Sequence, residues 1–256
     1  MGDPWARLRR AAGDRASGSA QVARLAAIAL KDVPASQVLE AIEVLLSGHP
    51  SMAPLWRLGS DVLEDGPAPG ATKFLGRLEA DARASAVLAG ALPDSILTIS
   101  FSSTVIDAIR LRRPALLVCM RSEPGGEGRR TAQAMAAWTR SEVIEDEEAL
   151  HRLPAAAVLT GADAITPDAV VNKVKTRALV EAAAAREIPR YAVAGETKFV
   201  AASLPVGGSF ESAPLELFTA VATPTGLLSP SPTRQHARQS TLHPDLAPIL
   251  ARLSSR

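Results

Sequence analysis

Residues 95–120 read SILTISFSSTVIDAIRLRRPALLVCM, and the fold is decided there. SILTISF (95–101) is a β-rich apolar run, as a buried strand requires. STVIDAIRLR (103–112) follows at once and reads as a helix, and PALLVCM (114–120) as a second buried strand. The alternation continues downstream. A helix from about Arg129 to Arg140 precedes a short strand near Val143. PAAAVLTGADAI (154–165) is a strand with its exit loop, Lys173 to Arg186 is helical, RYAVAG (190–195) is a strand, and LELFTAVAT (215–223) holds one more. Strand–helix alternation with short loops predicts an α/β fold, a Rossmann-like parallel sheet with helices on both faces. Ligands in such sheets bind at the carboxyl ends of the strands.

Upstream the pattern is helical. Val22, Leu25, Ala26 and Ala29 recur at helix spacing, as do Val38, Ile42, Leu45 and Leu46. Ser36 offers an N-cap to the second of these helices, and Gly48 with Pro50 a stop. A third helix is expected between Met52 and Glu64. After a break at Gly-Pro-Ala-Pro-Gly (66–70), a longer one carries Leu75, Leu78, Ala82 and Leu88. The expected division is a helical domain over 1–90 and a Rossmann-like ligand-binding and dimerisation domain over 91–256. The acidic run EVIEDEEALHR (142–152) reads as a solvated helix start. SPSPTRQ (229–235) reads as a Pro/Ser loop and HPDLAPILARL as a short terminal helix.

Composition excludes several classes. Of 256 residues 47% are hydrophobic, and 28 basic residues stand against 27 acidic ones for a net charge of +1. Neither bulk charge nor the 4% aromatic content favours direct nucleic-acid binding. No apolar run reaches the roughly 18 residues of a membrane span. MGDPWARLRR lacks the apolar core of a signal peptide, so a cytoplasmic location is expected. The single cysteine, Cys119, excludes an internal disulfide, and four histidines without ligand spacing give no metal site. No cofactor is indicated.

Polar residues collect where strands end. Ser100-Phe101-Ser102-Ser103-Thr104 opens a helix, where hydroxyls and free N–H groups suit an anion or a plain N-cap. Arg121 to Arg130 is a Gly- and Arg-rich loop with no nucleotide-phosphate fingerprint, so it suits an anion or a surface turn. In Gly161-Ala162-Asp163-Ala164-Ile165 an acid amid apolar neighbours should have a raised pKa and could donate a proton, unless it caps a helix. The chain has five lysines, and three of them, Lys173, Lys175 and Lys198, fall at two of these ends. That clustering indicates an anionic small molecule.

ILTISFSSTVIDAIR, the Glu-Gly-Arg-Arg turn, VLTGADAIT with VVNKVKTRALVEAAAAREIPRYAVAGETKF, and FESAPLELFTAVATPTGLLSP resemble the alpha/beta/delta regulatory subunits of translation initiation factor 2B. That superfamily includes methylthioribose-1-phosphate and ribose-1,5-bisphosphate isomerases, and the likeness covers roughly residues 15 to 250. The resemblance implies a helical N-terminal domain, a Rossmann-like C-terminal domain and dimerisation through the latter. The family's isomerases interconvert an aldose 1-phosphate and a ketose phosphate. A cysteine after the first strand takes a proton and the aspartate of the GAD motif supplies one. Asp163 matches that aspartate, but the cysteine position is Ser100, whose hydroxyl is far less acidic than a thiol.

Other positions divide. The resemblance carries ligand-binding roles to Ser17, Gly18 and Ser19, which replace an Arg-Gly-Ala element, with Arg15 two residues before them. His49 stands where an arginine precedes a proline. Glu123 replaces the arginine of an Arg-Pro turn, and Lys175 replaces a glycine. Gly128, Arg130, Asn172, Lys173 and Lys198 are retained, with the hydroxyls of Ser102, Ser103 and Thr104. Three expectations remain open. The chain is a regulatory or non-catalytic binder of a sugar phosphate or nucleoside monophosphate, an isomerase with an altered site, or an assembly partner.

Overall fold

The computed structural model describes residues 3–255. Six helices come first: α1 Pro4–Gly13, α2 Ser19–Leu30, α3 Val38–Gly48, α4 Ala53–Asp65, α5 Pro67–Ala80 and α6 Arg83–Ala89. Strands and helices then alternate through β1 Ser95–Thr98, α7 Ser103–Arg112, β2 Leu116–Met120, α8 Glu127–Met135, β3 Arg140–Ile144, α9 Asp146–Arg152 and β4 Ala157–Thr160. Next come β5 Ala164–Ile165, β6 Ala169–Lys173, α10 Thr176–Ala184, β7 Arg190–Val193 and β8 Phe210–Pro214. The chain finishes with β9 Ala220–Thr223, β10 Gly226–Leu228, α11 Pro230–Gln239 and α12 Ala247–Ser254.

Seven strands form one sheet in the order β10-β9-β7-β4-β1-β2-β3, parallel except for β10. Successive strand residues point to opposite faces, and the apolar runs supply both. Ile96, Leu117 and Leu159 are buried under α6 and α7, while Leu97, Val118 and Val158 are buried under α9 and α10. Each such side chain contributes about 1.5–3 kcal/mol by leaving water. A parallel sheet covered on both faces is the expected architecture.

The helices α1 to α5 enclose a separate core around Leu8, Leu30, Ile42, Trp56 and Phe74. Between the two cores lies a small antiparallel sheet, β5-β6-β8. Its Ala164 and Val171 face the helical core, and its Ile165, Val170 and Ala213 face the other. After α11 the chain returns to the helical core, where Leu246 and Ile249 are buried.

Several local expectations are corrected. The break at 66–70 is a single residue: Gly66, at φ 88°, ends α4, and Pro67 takes the first position of α5, where a missing N–H costs nothing. The long helix expected after it is split between Ala80 and Arg83. Ser36 caps no α-helix but sits inside a 3₁₀ turn, Ala35–Gln37. Leu25 is exposed, because α2 turns Val22, Ala26 and Ala29 inward. Asn172 and Lys173 end strand β6 instead of starting a helix. The β-branched pair Val170-Val171 extends the chain until Lys175 turns it at φ 75°. SPSPTRQ is not a loop: Pro230 and Pro232 occupy the first turn of α11, where proline is tolerated. In LELFTAVAT, Leu215, Phe218 and Val221 are all buried within the chain's own core.

Candidate functional site

The chain leaves β1 for β2 and β3 and returns on the other side of β1 as β4. Side by side, the exits of β1 and β4 form a topological switch point, the usual ligand crevice of such sheets. Here a cavity of about 160 Å³ opens. The expected residues Ser17, Gly18, Ser19, Ser100, Ser102, Ser103, Arg130, Asp163, Asn172, Lys173 and Lys198 all line it. Thr104 does not line it. It lies in the first turn of α7, where its carbonyl accepts the Ser85 hydroxyl at 2.9 Å. Arg15 and His49 from the helical layer also line the cavity, as does Glu127 of α8, which sequence reasoning passed over.

The two strand exits meet closely. A Cβ on Gly161 would lie 2.9 Å from the Ser102 side chain, so only glycine lets β4 pass there. Ser102 caps α7, its Oγ accepting from the Val105 N–H at 3.4 Å, so the capping alternative holds while the residue still faces the cavity. Ser100 adopts φ 68°, a left-handed conformation that costs a non-glycine residue about 1–3 kcal/mol. Its N–H donates to Ser122 Oγ at 2.8 Å and its carbonyl accepts the Thr131 hydroxyl at 2.7 Å, which hold the turn. Among the described residues no basic group hydrogen-bonds to the Ser100 hydroxyl.

Asp163 caps no helix. Its N–H donates to the Val171 carbonyl at 2.7 Å and its carbonyl accepts from Ala53 at 2.9 Å, which fixes the residue between the layers. Burial pushes its carboxyl pKa up, while the Lys198 charge and the Ser19 hydroxyl draw it back. Burial pushes the Lys198 ammonium down, against Asp163 and Asp81, which hold it up. The Lys198 Nζ donates to the Ala162 carbonyl.

Lys173 is almost wholly buried, and its Nζ donates to Glu127 Oε1 at 2.7 Å and to the Pro124 carbonyl. Glu127 Oε2 is buried without a partner. The adjacent Asn172 donates from Nδ2 to Thr176 Oγ1 at 3.0 Å. Arg130, three residues after Glu127 on α8, lies over the Phe101 ring at 4.3 Å and donates to the Ala16 carbonyl at 2.9 Å. It thereby ties the α1–α2 turn to the β1 exit. Spacing of i, i+3 between Glu127 and Arg130 was the signal available for Glu127.

His49 is buried, and its Nε2 donates to the Ala11 carbonyl at 2.9 Å. Burial and the nearby Arg15 charge push its pKa down, against that carbonyl and Asp14, so the ring is neutral near pH 7. Arg15 Nη1 lies 3.3 Å from the same ring. An arginine two residues before Ser17 therefore stands beside the position where the resemblance led us to expect one. Four cationic side chains (Arg15, Arg130, Lys173, Lys198) face three carboxylates (Asp14, Glu127, Asp163) across the cavity.

One lysine-cluster residue and one acid-run residue need revision. Lys175 does not line the cavity. Its Nζ meets Asp146 Oδ2 at 2.7 Å, and Asp146 also accepts the N–H groups of Ser122 at 2.7 Å and Glu123 at 3.0 Å. Asp146, in the supposedly solvated acidic run, is therefore buried and organises the loop after β2. Glu123 pairs with Arg121 at 2.8 Å and does not line the cavity. Cys119 lies in the core under α6 and α7, where burial pushes its thiol to about 12. Among the described residues no cluster of three or more histidine, cysteine, aspartate or glutamate side chains is placed to hold a metal, and no helix is long and apolar enough to cross a membrane.

Residues 76–226 match the model of the initiation factor 2 subunit family. Among solved structures, the chain is similar to a translation initiation factor eIF-2B from Pyrococcus horikoshii OT3. The identity is 26%, with a TM-score of 0.80 over 89% of this chain and 97% of that one. It shares its fold with 5-methylthioribose 1-phosphate isomerase of the same organism, at 18% identity and a TM-score of 0.69 over 93% and 87% of the two chains. The same holds for eIF2B beta of Chaetomium thermophilum, at 13% identity and 0.69 over 96% and 93%. No curated protein matches the sequence significantly.

Proposed function

Because the chain belongs to the initiation factor 2 subunit family, we propose that it binds a sugar phosphate or nucleoside monophosphate at the switch-point cavity in a regulatory role, without isomerising it. The observation that carries this reading is the composition of the cavity wall. Asp163, Asn172, Lys173 and Lys198 stand together at the N-terminus of α7, and the chain's one thiol is absent from that wall. Backbone N–H groups at a helix start and an excess of cationic side chains suit a phosphate. Removing a proton from a sugar carbon needs a base, and a serine hydroxyl with no activator does not supply one.

A thermal-shift panel of inorganic phosphate, ribose 5-phosphate and AMP tests binding. A ligand at a hundred times its Kd stabilises by about 2.7 kcal/mol, roughly 5–11 °C in a chain of this size. Lys198→Ala should abolish the shift and Lys31→Ala should keep it. No shift with any probe, or equal shifts in all variants, overturns the binding reading. Steady turnover of methylthioribose 1-phosphate or ribose 1,5-bisphosphate that disappears in Asp163→Asn would overturn the non-catalytic one.

The protein acts as a cytoplasmic homodimer built on its α/β layer. Support comes from the exposed Trp138 and Val143 at the β3 edge of the sheet and from the family's capacity for assembly, seen in a tetrameric eIF2B-beta2-delta2 complex of related fold. Light scattering that finds a monomer at micromolar concentration overturns the dimer.

A further inference from the structure

We propose that Asp81, in the turn between α5 and α6, is a positioning residue that holds Lys198 in the cavity wall, so that the helical layer sets the geometry of the anion site. The inference rests on the ligand-binding reading above. Lys198 ends a short 3₁₀ turn, Glu196–Lys198, that follows β7. A turn of this length has free N–H groups at its start and little packing of its own. Asp81 satisfies them from the helical layer. One carboxylate oxygen accepts the Glu196 N–H at 2.6 Å, and the other accepts the Thr197 N–H at 3.2 Å and the Thr197 hydroxyl. Asp81 and Thr197 are both buried, and a Cβ on Gly195 would lie 2.0 Å from the Asp81 carboxyl carbon. The turn is thus clamped against one side chain 115 residues away in sequence.

The clamp also carries charge. Asp81 and Asp163 are the two acids that favour the ammonium of Lys198 against its burial. The remaining charges packed around the turn are engaged elsewhere. Glu196 meets His236 of α11 at 2.5 Å. In α4, Asp61 holds Arg77 of α5 at 2.9 Å, and Arg57 donates to the Thr241 carbonyl at 2.7 Å. Asp81 therefore has a specific relation to Lys198 that its neighbour Asp61, equally buried, lacks.

Asp81→Asn keeps the size of the side chain and removes its charge. In the ligand-free protein, the pH profile of Lys198 acetylation, read by mass spectrometry, should move to lower pH by about one unit. Ribose 5-phosphate binding should weaken about tenfold, with its alkaline limb moved the same way. Asp61→Asn should move neither. An unchanged Lys198 profile in folded Asp81→Asn, or an equal shift in Asp61→Asn, overturns the proposal. If Asp81→Asn does not fold, Thr197→Val removes one donor and leaves the charge. Weaker binding with an unchanged Lys198 profile is then expected, and unchanged binding overturns the proposal. Failure of the parent to bind any phosphate probe would defeat the functional reading, while the Lys198 profile would still decide the role of Asp81.

Discussion

Replacing Lys173 with Met tests the electrostatics of the cavity most directly. The methionine keeps the length and apolar stem of the side chain, so packing along β6 is preserved. Among the described residues it removes the only hydrogen bond to Glu127 Oε1, and Oε2 already has none. The carboxylate would be left unpaired beside a buried strand. Breaking a buried ion pair in this way costs about 3–5 kcal/mol. The Glu127 side chain is 24% exposed, which places the expectation near the lower end, about 3 kcal/mol. Converted at roughly 2–4 °C per kcal/mol, the melting temperature should fall by about 6–12 °C. The double variant Lys173→Met/Glu127→Gln removes the orphaned charge and should recover at least half of the loss. Calorimetric scans of the parent, both single variants and the double variant form the cycle. A single variant within about 1 kcal/mol of the parent, or a double variant that loses the sum of the two, would refute the pairing as described.

Other consequences can be measured alongside. Lys175 holds a left-handed φ of 75° and pairs with buried Asp146. Lys175→Gly should therefore be about 1 kcal/mol less destabilising than Lys175→Met in urea unfolding, because glycine relieves the backbone. Burial raises the Asp146 pKa, but the Lys175 ammonium and two N–H donors outweigh it and hold the group below 3.8. A carboxyl depressed in the folded state gives stability that is present above the unfolded pKa and lost as pH falls through the folded one. Lys175→Met should accordingly move the acid-unfolding midpoint to higher pH, and an unmoved midpoint would refute the pairing. Gly161→Ala pushes a methyl group to within 2.9 Å of Ser102. It should cost about 1–3 kcal/mol and weaken ribose 5-phosphate binding at least tenfold, measured by calorimetric titration.

The α/β layer was legible because its strands announce themselves. SILTISF and PALLVCM are apolar on both faces, and a parallel sheet buried on both sides requires that. The small sheet was harder. Val170-Val171 carried a strand signal, but five-residue elements next to a helix blur into it, and β5 has two residues. The misread SPSPTRQ shows the same weakness of local signals, since proline marks a loop and a first helical turn equally well. Most cavity residues were reached through strand-exit loops and motif likeness. Glu127 was passed over because the helix was expected to begin near Arg129, which left it within the Gly- and Arg-rich loop, whereas α8 starts at Glu127 itself. Asp81 could not be found at all. Its partners lie more than a hundred residues downstream, and only the folded chain brings them to it.

The return of the chain after α11 bears on how the protein is made. Leu246 and Ile249 complete a core whose other members, Leu8 through Leu78 and then Ala164, Val171, Val200 and Leu204, are synthesised first, and Arg252 pairs with Glu43 across the same seam. The first helices therefore leave the ribosome with an unfinished apolar surface and wait for the entire intervening α/β layer. At bacterial or eukaryotic elongation rates of roughly 5–20 residues per second, that wait is about ten seconds or longer. The cavity walls come from both layers, so the nascent chain has nothing with which to grip a ligand during this interval. The last cavity-lining residue, Phe210, is made only shortly before the helical core closes, so under the proposed function binding competence also arrives late.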